Sequence, residues 1–86
     1  MPTPVEPAFT LRQLAYFVAA ADAGSMTGAG RTSHVSQSAV SLAVAELERE
    51  LGTQLFIRHH ASGLSLTPAG RRVLAGAREL LADDGD

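Results

Sequence analysis

Only residues 34–35 separate two predicted helices of this 86-residue chain. The shorter of the two begins after Ser25 or Thr27 and runs to about Ser33. Ser36 then begins a new helix, because a serine side chain at this position accepts a hydrogen bond from the free N–H groups of the first turn. A connection this short turns the chain between the two helices. The sequence therefore predicts a helix-turn-helix pair.

Apolar residues that recur every three or four positions predict three longer helices. The first begins at the N-cap Thr10 and ends at Gly24. The next of these follows the short connection, is therefore the third helix of the chain, and ends at Gly52. The last begins at Pro68 after the N-cap Thr67. The apolar stripes of these helices are Leu11, Leu14, Phe17, Val18 and Ala21; Val40, Val44, Leu47 and Leu51; and Val73, Leu74, Ala77, Leu80 and Leu81.

A β-hairpin is predicted between the third helix and the last. Residues 55–57 and 64–66 are short apolar stretches on either side of residues 61–63, and Leu64 and Leu66 alternate with Ser65 as in a strand. The fold class is therefore mainly α, a winged helix-turn-helix of three helices and a hairpin wing. We expect residues 1–9 to be a flexible tail, residues 10–66 to form this domain, and residues 67–86 to form a long linker or dimerisation helix.

The net charge of −2 argues at first against a nucleic-acid partner. The distribution of charge matters more, because all seven arginines lie between Phe9 and Arg78, against four carboxylates in the same stretch. The chain has no lysine, and arginine suits forked contacts to phosphate or guanine. The middle of the chain is therefore mildly positive.

Several other classes of protein are excluded by composition. A chain without cysteine has no disulfide, thiolate zinc site, iron–sulfur cluster or thiol nucleophile. The longest apolar run, 14–21, is far shorter than the roughly 20 residues that span a bilayer, and the N-terminus does not resemble a signal peptide. His59 and His60 lack further ligands at metal-binding spacing. We therefore expect a cytoplasmic protein that is not an enzyme and uses no cofactor.

A series of segments between Leu11 and about Leu81 carries a family resemblance. These segments are Leu-Arg-Gln-Leu at 11–14, Tyr-Phe-Val at 16–18, Gly-Ser at 24–25, His-Val-Ser-Gln-Ser-Ala-Val-Ser at 34–41, Leu-Glu-Arg-Glu-Leu-Gly at 47–52, Gln-Leu-Phe at 54–56, Arg58, and Leu-Thr-Pro-Ala-Gly at 66–70. Together they resemble the amino-terminal DNA-binding domain of LysR-type transcriptional regulators.

The resemblance implies a dimeric bacterial transcription factor. Its third helix would enter the major groove of double-stranded DNA, its wing would lie near the minor groove or the backbone, and its last helix would pair two subunits. In the family an effector-binding domain follows that helix. This sequence contains no such domain, so we expect a fragment or a short form, with a small-molecule effector only if a further domain exists.

The candidate DNA contacts lie on the third helix and the wing. The Gln37 amide can pair bidentately with adenine, and Arg58 is the strongest candidate for a phosphate or minor-groove contact. Leu42 and Ala45 can touch a thymine methyl group, whereas the family usually has a basic residue at the position of Leu42. The full predicted set is Ser36, Gln37, Ser38, Ser41, Leu42, Ala45 and Arg58 for DNA, and Val73, Leu74, Ala77, Leu80 and Leu81 for the homodimer.

Three alternatives remain open at this point. Arg58 can instead form a surface salt bridge with Glu48 or Glu50, and Gln37 can be an ordinary solvated residue. The uncharged face of the third helix also fits a protein-interaction module that has lost DNA binding and dimerises with a related regulator.

Overall fold

The computed structural model describes residues 9–60 and 63–82 of the chain. Its elements in order are α1 (Leu11–Ala23), α2 (Met26–Ser33), α3 (Gln37–Leu51), β1 (Phe56–His59), β2 (Gly63–Leu66) and α4 (Pro68–Ala82). The predicted winged helix-turn-helix, mainly α with a two-stranded wing, is confirmed. The tail predicted for residues 1–8 lies outside the described residues, whereas Phe9 packs against the core.

The predicted caps position the helices. Thr10 and Gln13 form a reciprocal capping box at the start of α1, and the Ser36 hydroxyl accepts a hydrogen bond of 3.0 Å from the Ala39 N–H at the start of α3. Gly24 ends α1 in the left-handed conformation, with a φ of 74°, which glycine adopts at little cost. These local signals fix where α1 ends and where α3 begins.

The core lies where α1, α2 and α3 pack together. Phe17, Val40, Val44 and Leu47 are fully buried, and the Phe17 ring meets the Phe56 ring of the wing at a centroid distance of 5.2 Å. Burial of these apolar side chains is the main stabilising contribution in a domain of this size.

Two leucines of the stripes predicted for α1 and α3 lie outside this core. Leu11 is 55% exposed and Leu51 is 37% exposed. They are the first residue of α1 and the last residue of α3, so the neighbouring helices do not cover them. Ala20 and Ala43 are buried inside the same two helices instead.

Backbone hydrogen bonds hold the wing against the helices. The Leu64 N–H of β2 donates to the Gly24 carbonyl oxygen at 3.0 Å. At the other end of the hairpin, one carboxylate oxygen of Glu48 accepts from the N–H groups of Leu55 and Phe56, at 2.8 and 3.2 Å. The wing is therefore tied to the α1–α2 turn and to α3.

Gly63, the first residue of β2, allows the closest of these approaches. Its φ is 87°, and a Cβ atom at this position would overlap the Gly24 carbonyl oxygen. A side chain here would therefore push the wing away from the turn.

Helix α4 packs against α1 in the same chain. Ala77, predicted to lie in a dimer contact, is only 3% exposed because it is part of the core. Its side chain is thus already covered by its own chain, and a role of Ala77 in the dimer stays a prediction. Arg78 donates from Nη2 to the Asp22 carboxylate at 2.5 Å, and this hydrogen bond raises the pKa of the guanidinium.

No helix within the described ranges is long and apolar enough to cross a membrane.

Candidate nucleic-acid interface

The side of α3 that faces away from the core carries no charge along its middle. Ser38 and Leu42 are exposed, and Ser41 and Ala45 are half-buried. Residues three and four positions apart share one side of a helix, so these four side chains form a continuous surface, which we call the α3 outer face. This surface is the uncharged face that the sequence indicates for the third helix.

Ser36 and Gln37, at the start of α3, have different roles. The Ser36 hydroxyl is used as the N-cap of the helix. Gln37, the first residue of α3, is exposed, so its amide is accessible at the end of the helix. In helix-turn-helix proteins, residues at this end of the second helix of the pair contact base edges.

An open groove lies between the starts of α2 and α3 and the wing. Its lining includes Gln37 and Arg58, which are far apart in sequence. The wing closes one side of the groove because β2 is hydrogen-bonded to Gly24 at the end of α1. We call it the wing groove; it is lined by Ser25, Met26, Thr27, Gln37, Arg58, His59, His60, Gly63 and Leu64.

Arg58 differs in two ways from its predicted setting. It lies within β1, paired with Leu64 of β2, and not after the strand. The alternative salt bridge to Glu48 or Glu50 is absent from the described part of the chain, where Arg78–Asp22 is the one salt bridge formed. Glu48 instead accepts from the backbone before and within β1. The exposed guanidinium of Arg58 is therefore available to an external anion.

The two wing histidines have different surroundings. The His59 imidazole and the Ser65 hydroxyl are hydrogen-bonded across the strands at 2.8 Å, whereas His60 follows the end of β1. Across residues 9–60 and 63–82, no three histidine or carboxylate side chains come close enough to hold a metal ion. Both imidazoles line the wing groove.

Ser25 and Thr27 also line the wing groove, and the sequence indicated them only as possible caps. The Ser25 hydroxyl accepts from the Gly28 N–H at 2.9 Å, and Thr27 is exposed beside it in the first turn of α2. The N-terminal end of a helix favours an anion because of its free N–H groups and its dipole. Their spacing alone gave no indication that this turn lies opposite the wing.

The predicted dimer residues of α4 divide between the core and the surface. Val73 and Leu74 pack against the core, whereas Leu80 is 49% exposed. Gly76 is exposed too, with no atom within 4 Å of the place where a Cβ would lie. Four residues at spacings of four, three and four form a partly open strip beside the packed face, which we call the α4 flank: Ala69, Val73, Gly76 and Leu80.

Comparisons with known proteins all lead to one family. The family model for bacterial regulatory helix-turn-helix proteins of the lysR family matches residues 11–71. The transcriptional regulator TfdT of Cupriavidus pinatubonensis is 46% identical over 72 residues, which cover 84% of this chain and 31% of that protein. The regulator YvbU of Bacillus subtilis is 43% identical over 72 residues, covering 84% of this chain and 25% of that protein. The chain thus spans about a quarter to a third of the length of these relatives.

Solved structures agree with the sequence comparisons. The CbnR DNA-binding domain, in a crystal structure of its DNA complex, superposes with a TM-score of 0.85 at 42% identity, covering 90% of this chain and 87% of that one. The BenM DNA-binding domain bound to benA site 1 DNA gives a TM-score of 0.84 at 34% identity, with 90% and 88% covered. In both cases the likeness extends over nearly the whole DNA-binding domain.

Proposed function

The chain belongs to the LysR family of bacterial helix-turn-helix regulators, and we propose that it is the part of such a regulator that binds double-stranded DNA. The observation that carries this proposal is the wing groove, where the exposed Gln37 amide and the guanidinium of Arg58 lie on one surface. One group can read a base edge and the other can hold the backbone. The resemblance to DNA-bound domains of CbnR and BenM supports the same assignment.

In the proposed complex, α3 enters the major groove with its amino-terminal end toward the bases. Gln37 then pairs through its amide with an adenine edge, which presents one acceptor and one donor. Arg58 contacts phosphate or the edge of the minor groove, and Thr27 adds a contact to the backbone from the start of α2. Few cations take part, so the salt dependence of binding is modest for a DNA-binding protein.

The α4 flank is the proposed contact between two copies. Leu80 exposes apolar surface that its own core leaves uncovered, and Gly76 lets a second helix approach closely. Leu81 and the partly covered Leu74 lie along the edge of the α4 flank. We assign the protein to gene regulation in the bacterial cytoplasm, with no catalytic step, and any small-molecule effector would act through a further domain.

We expect Gln37→Ala and Arg58→Ala to impair DNA binding in different ways. Loss of one bidentate base contact costs about 1–3 kcal/mol of discrimination, whereas loss of a phosphate contact weakens all sequences alike. Gln37→Ala should therefore lose about 1–3 kcal/mol of its preference for the selected site over scrambled DNA. Arg58→Ala should keep the preference, bind both more weakly, and show a smaller slope of log affinity against log salt.

The measurement is fluorescence anisotropy at several salt concentrations, on a site selected from a random duplex library. Arg72→Ala serves as the control, because it removes an exposed arginine from α4, away from the wing groove. If Arg72→Ala and Arg58→Ala lower affinity equally, DNA binding depends on the overall charge of the chain and not on a contact made by Arg58. The proposed role of Arg58 is then wrong. A change in preference on loss of Arg58 would show that the two roles are exchanged.

A charge on the α4 flank is expected to separate the copies. Burial of one leucine contributes roughly 1.5–3 kcal/mol, and a symmetric dimer buries Leu80 twice. Leu80→Asp should sediment as a monomer at concentrations where the parent is a dimer. Leu11→Asp is the matched control, since Leu11 is also about half exposed but lies at the start of α1. Unchanged association of Leu80→Asp would place the dimer contact elsewhere.

A second function, a protein-interaction module, is favoured by the uncharged α3 outer face. This alternative predicts no binding of the parent to any duplex, even at low salt where phosphate contacts are strongest. The same titrations therefore decide between the two functions.

A further inference from the structure

Leu42 lies in the middle of the α3 outer face without any packing role of its own. It is 59% exposed, more than any other large apolar side chain in the described part of the chain. Ser38 lies four residues before it and Ala45 three residues after it, on the same side of the helix. Small side chains on both sides leave the leucine raised above this surface.

The outer side of α3 places Leu42 toward the bases in the proposed complex. Leu42 follows Gln37 by five residues, about 1.4 helical turns, so the two side chains leave α3 in different directions. Gln37 lies in the first turn of α3, and Leu42 lies farther along the helix on the α3 outer face. A side chain in this position faces the floor of the major groove, because α3 is the helix that enters it.

The chemistry of the floor determines what Leu42 can contact. A leucine has no donor or acceptor for phosphate or for the polar edges of guanine, adenine and cytosine. Thymine differs from these bases by the methyl group at C5, which lies exposed in the major groove. Contact between that methyl group and Leu42 removes apolar surface of both partners from water.

We propose that Leu42 is a specificity-determining residue that selects thymine by its C5 methyl group, at a base pair other than the one read by Gln37. The inference rests on the proposed DNA binding and adds a base preference to it. The half-buried Ala45 and Ser41 lie beside the exposed leucine on the α3 outer face, so they leave its side chain free to meet the methyl group. The preference needs no charge on the α3 outer face.

The test removes the methyl group from the DNA instead of changing the protein alone. A duplex selected by the parent chain is prepared with deoxyuridine in place of each thymine in turn, since deoxyuridine pairs with adenine but lacks the methyl group. For the parent, replacement of one particular thymine in each half-site should weaken binding of the duplex about fourfold, because the methyl group is lost. Leu42→Ala should bind the thymine duplex more weakly and show no further loss with deoxyuridine at that position.

Leu11→Ala is the matched control, because it shortens another exposed leucine, at the start of α1, and it should keep the parent's response to deoxyuridine. Leu42→Ala removes little packing, so circular dichroism should show an unchanged fold. A parent that binds its site but is indifferent to every thymine methyl would overturn the role of Leu42 and leave the proposed DNA binding intact. An equal response of the parent and Leu42→Ala would have the same meaning. Absence of any duplex binding would remove both proposals.

Discussion

Phe17→Ala is expected to lower the free energy of unfolding by about 3–5 kcal/mol, the usual cost of removing a fully buried phenylalanine. Phe17 is fully buried in α1, and its ring packs on Phe56, so the truncation also loosens the attachment of the wing. An 86-residue domain has a total stability of about 4–13 kcal/mol. The single change therefore removes between about a quarter and all of it.

Urea unfolding followed by circular dichroism measures this loss, and the melting temperature should fall by more than about 12 °C if the variant still folds. Leu11→Ala shortens a leucine on the same helix that is 55% exposed, and it should change stability by less than about 1 kcal/mol. If both variants lose the same stability, the core is not centred on Phe17.

Gly63→Ala is expected to displace the wing and to weaken DNA binding about tenfold or more. A non-glycine residue at a φ of 87° costs about 1–3 kcal/mol, and the added Cβ also overlaps the Gly24 carbonyl oxygen. Relief of that overlap breaks the 3.0 Å bond from the Leu64 N–H. Arg58 is paired with Leu64 across the hairpin, so its guanidinium moves away from the backbone of the DNA.

Gly52→Ala separates backbone strain from this overlap. Gly52 has a φ of 69°, but nothing lies within 4 Å of the place where its Cβ would be. The control variant should therefore lose about 1–2 kcal/mol of stability and keep the parent's DNA affinity. Chemical denaturation and anisotropy titrations of both variants provide the comparison. Equal DNA affinity of Gly63→Ala and Gly52→Ala would show that the position of the wing does not matter for binding.

The helices were predictable because their boundaries are local signals. Thr10 and Ser36 each lie within three residues of the N–H group that they cap, so sequence spacing alone indicates these contacts. Gly24 and Gly52 adopt the positive φ that ends a helix. Boundaries of this kind depend on nothing outside one or two turns of chain.

The wing groove was not predictable, because it depends on long-range contacts without a pattern. Gln37 and Arg58 share a surface because contacts such as the bond from Leu64 to Gly24, forty residues earlier in the chain, hold the wing beside the helices. A backbone N–H and a backbone carbonyl are present at nearly every residue, so no residue type indicates this pairing. Glu48 is similar: its charge suggested a partner for Arg58, yet it satisfies backbone N–H groups.

The apolar stripe of α4 shows a second limit of prediction from the sequence. Periodicity indicates which side of a helix is buried, but it does not indicate whether the covering surface comes from the same chain or from another copy. Ala77 was assigned to the dimer on that pattern and lies in the core, whereas Leu80 in the same stripe is half exposed. Only the placement of α1 beside α4 separates the two cases.

The contact between Arg78 and Asp22 joins α4, near its far end, to α1. It therefore helps to hold the angle between the two helices. The helix has 15 residues, so it is about 22 Å long, and a rotation of about 10° around its start moves its tip by about 4 Å. In the proposed dimer, such a shift on one side changes the separation of the two recognition helices by an amount comparable with one base-pair step, about 3.4 Å. One solvent-exposed ion pair would then help to define which half-site spacings the regulator accepts.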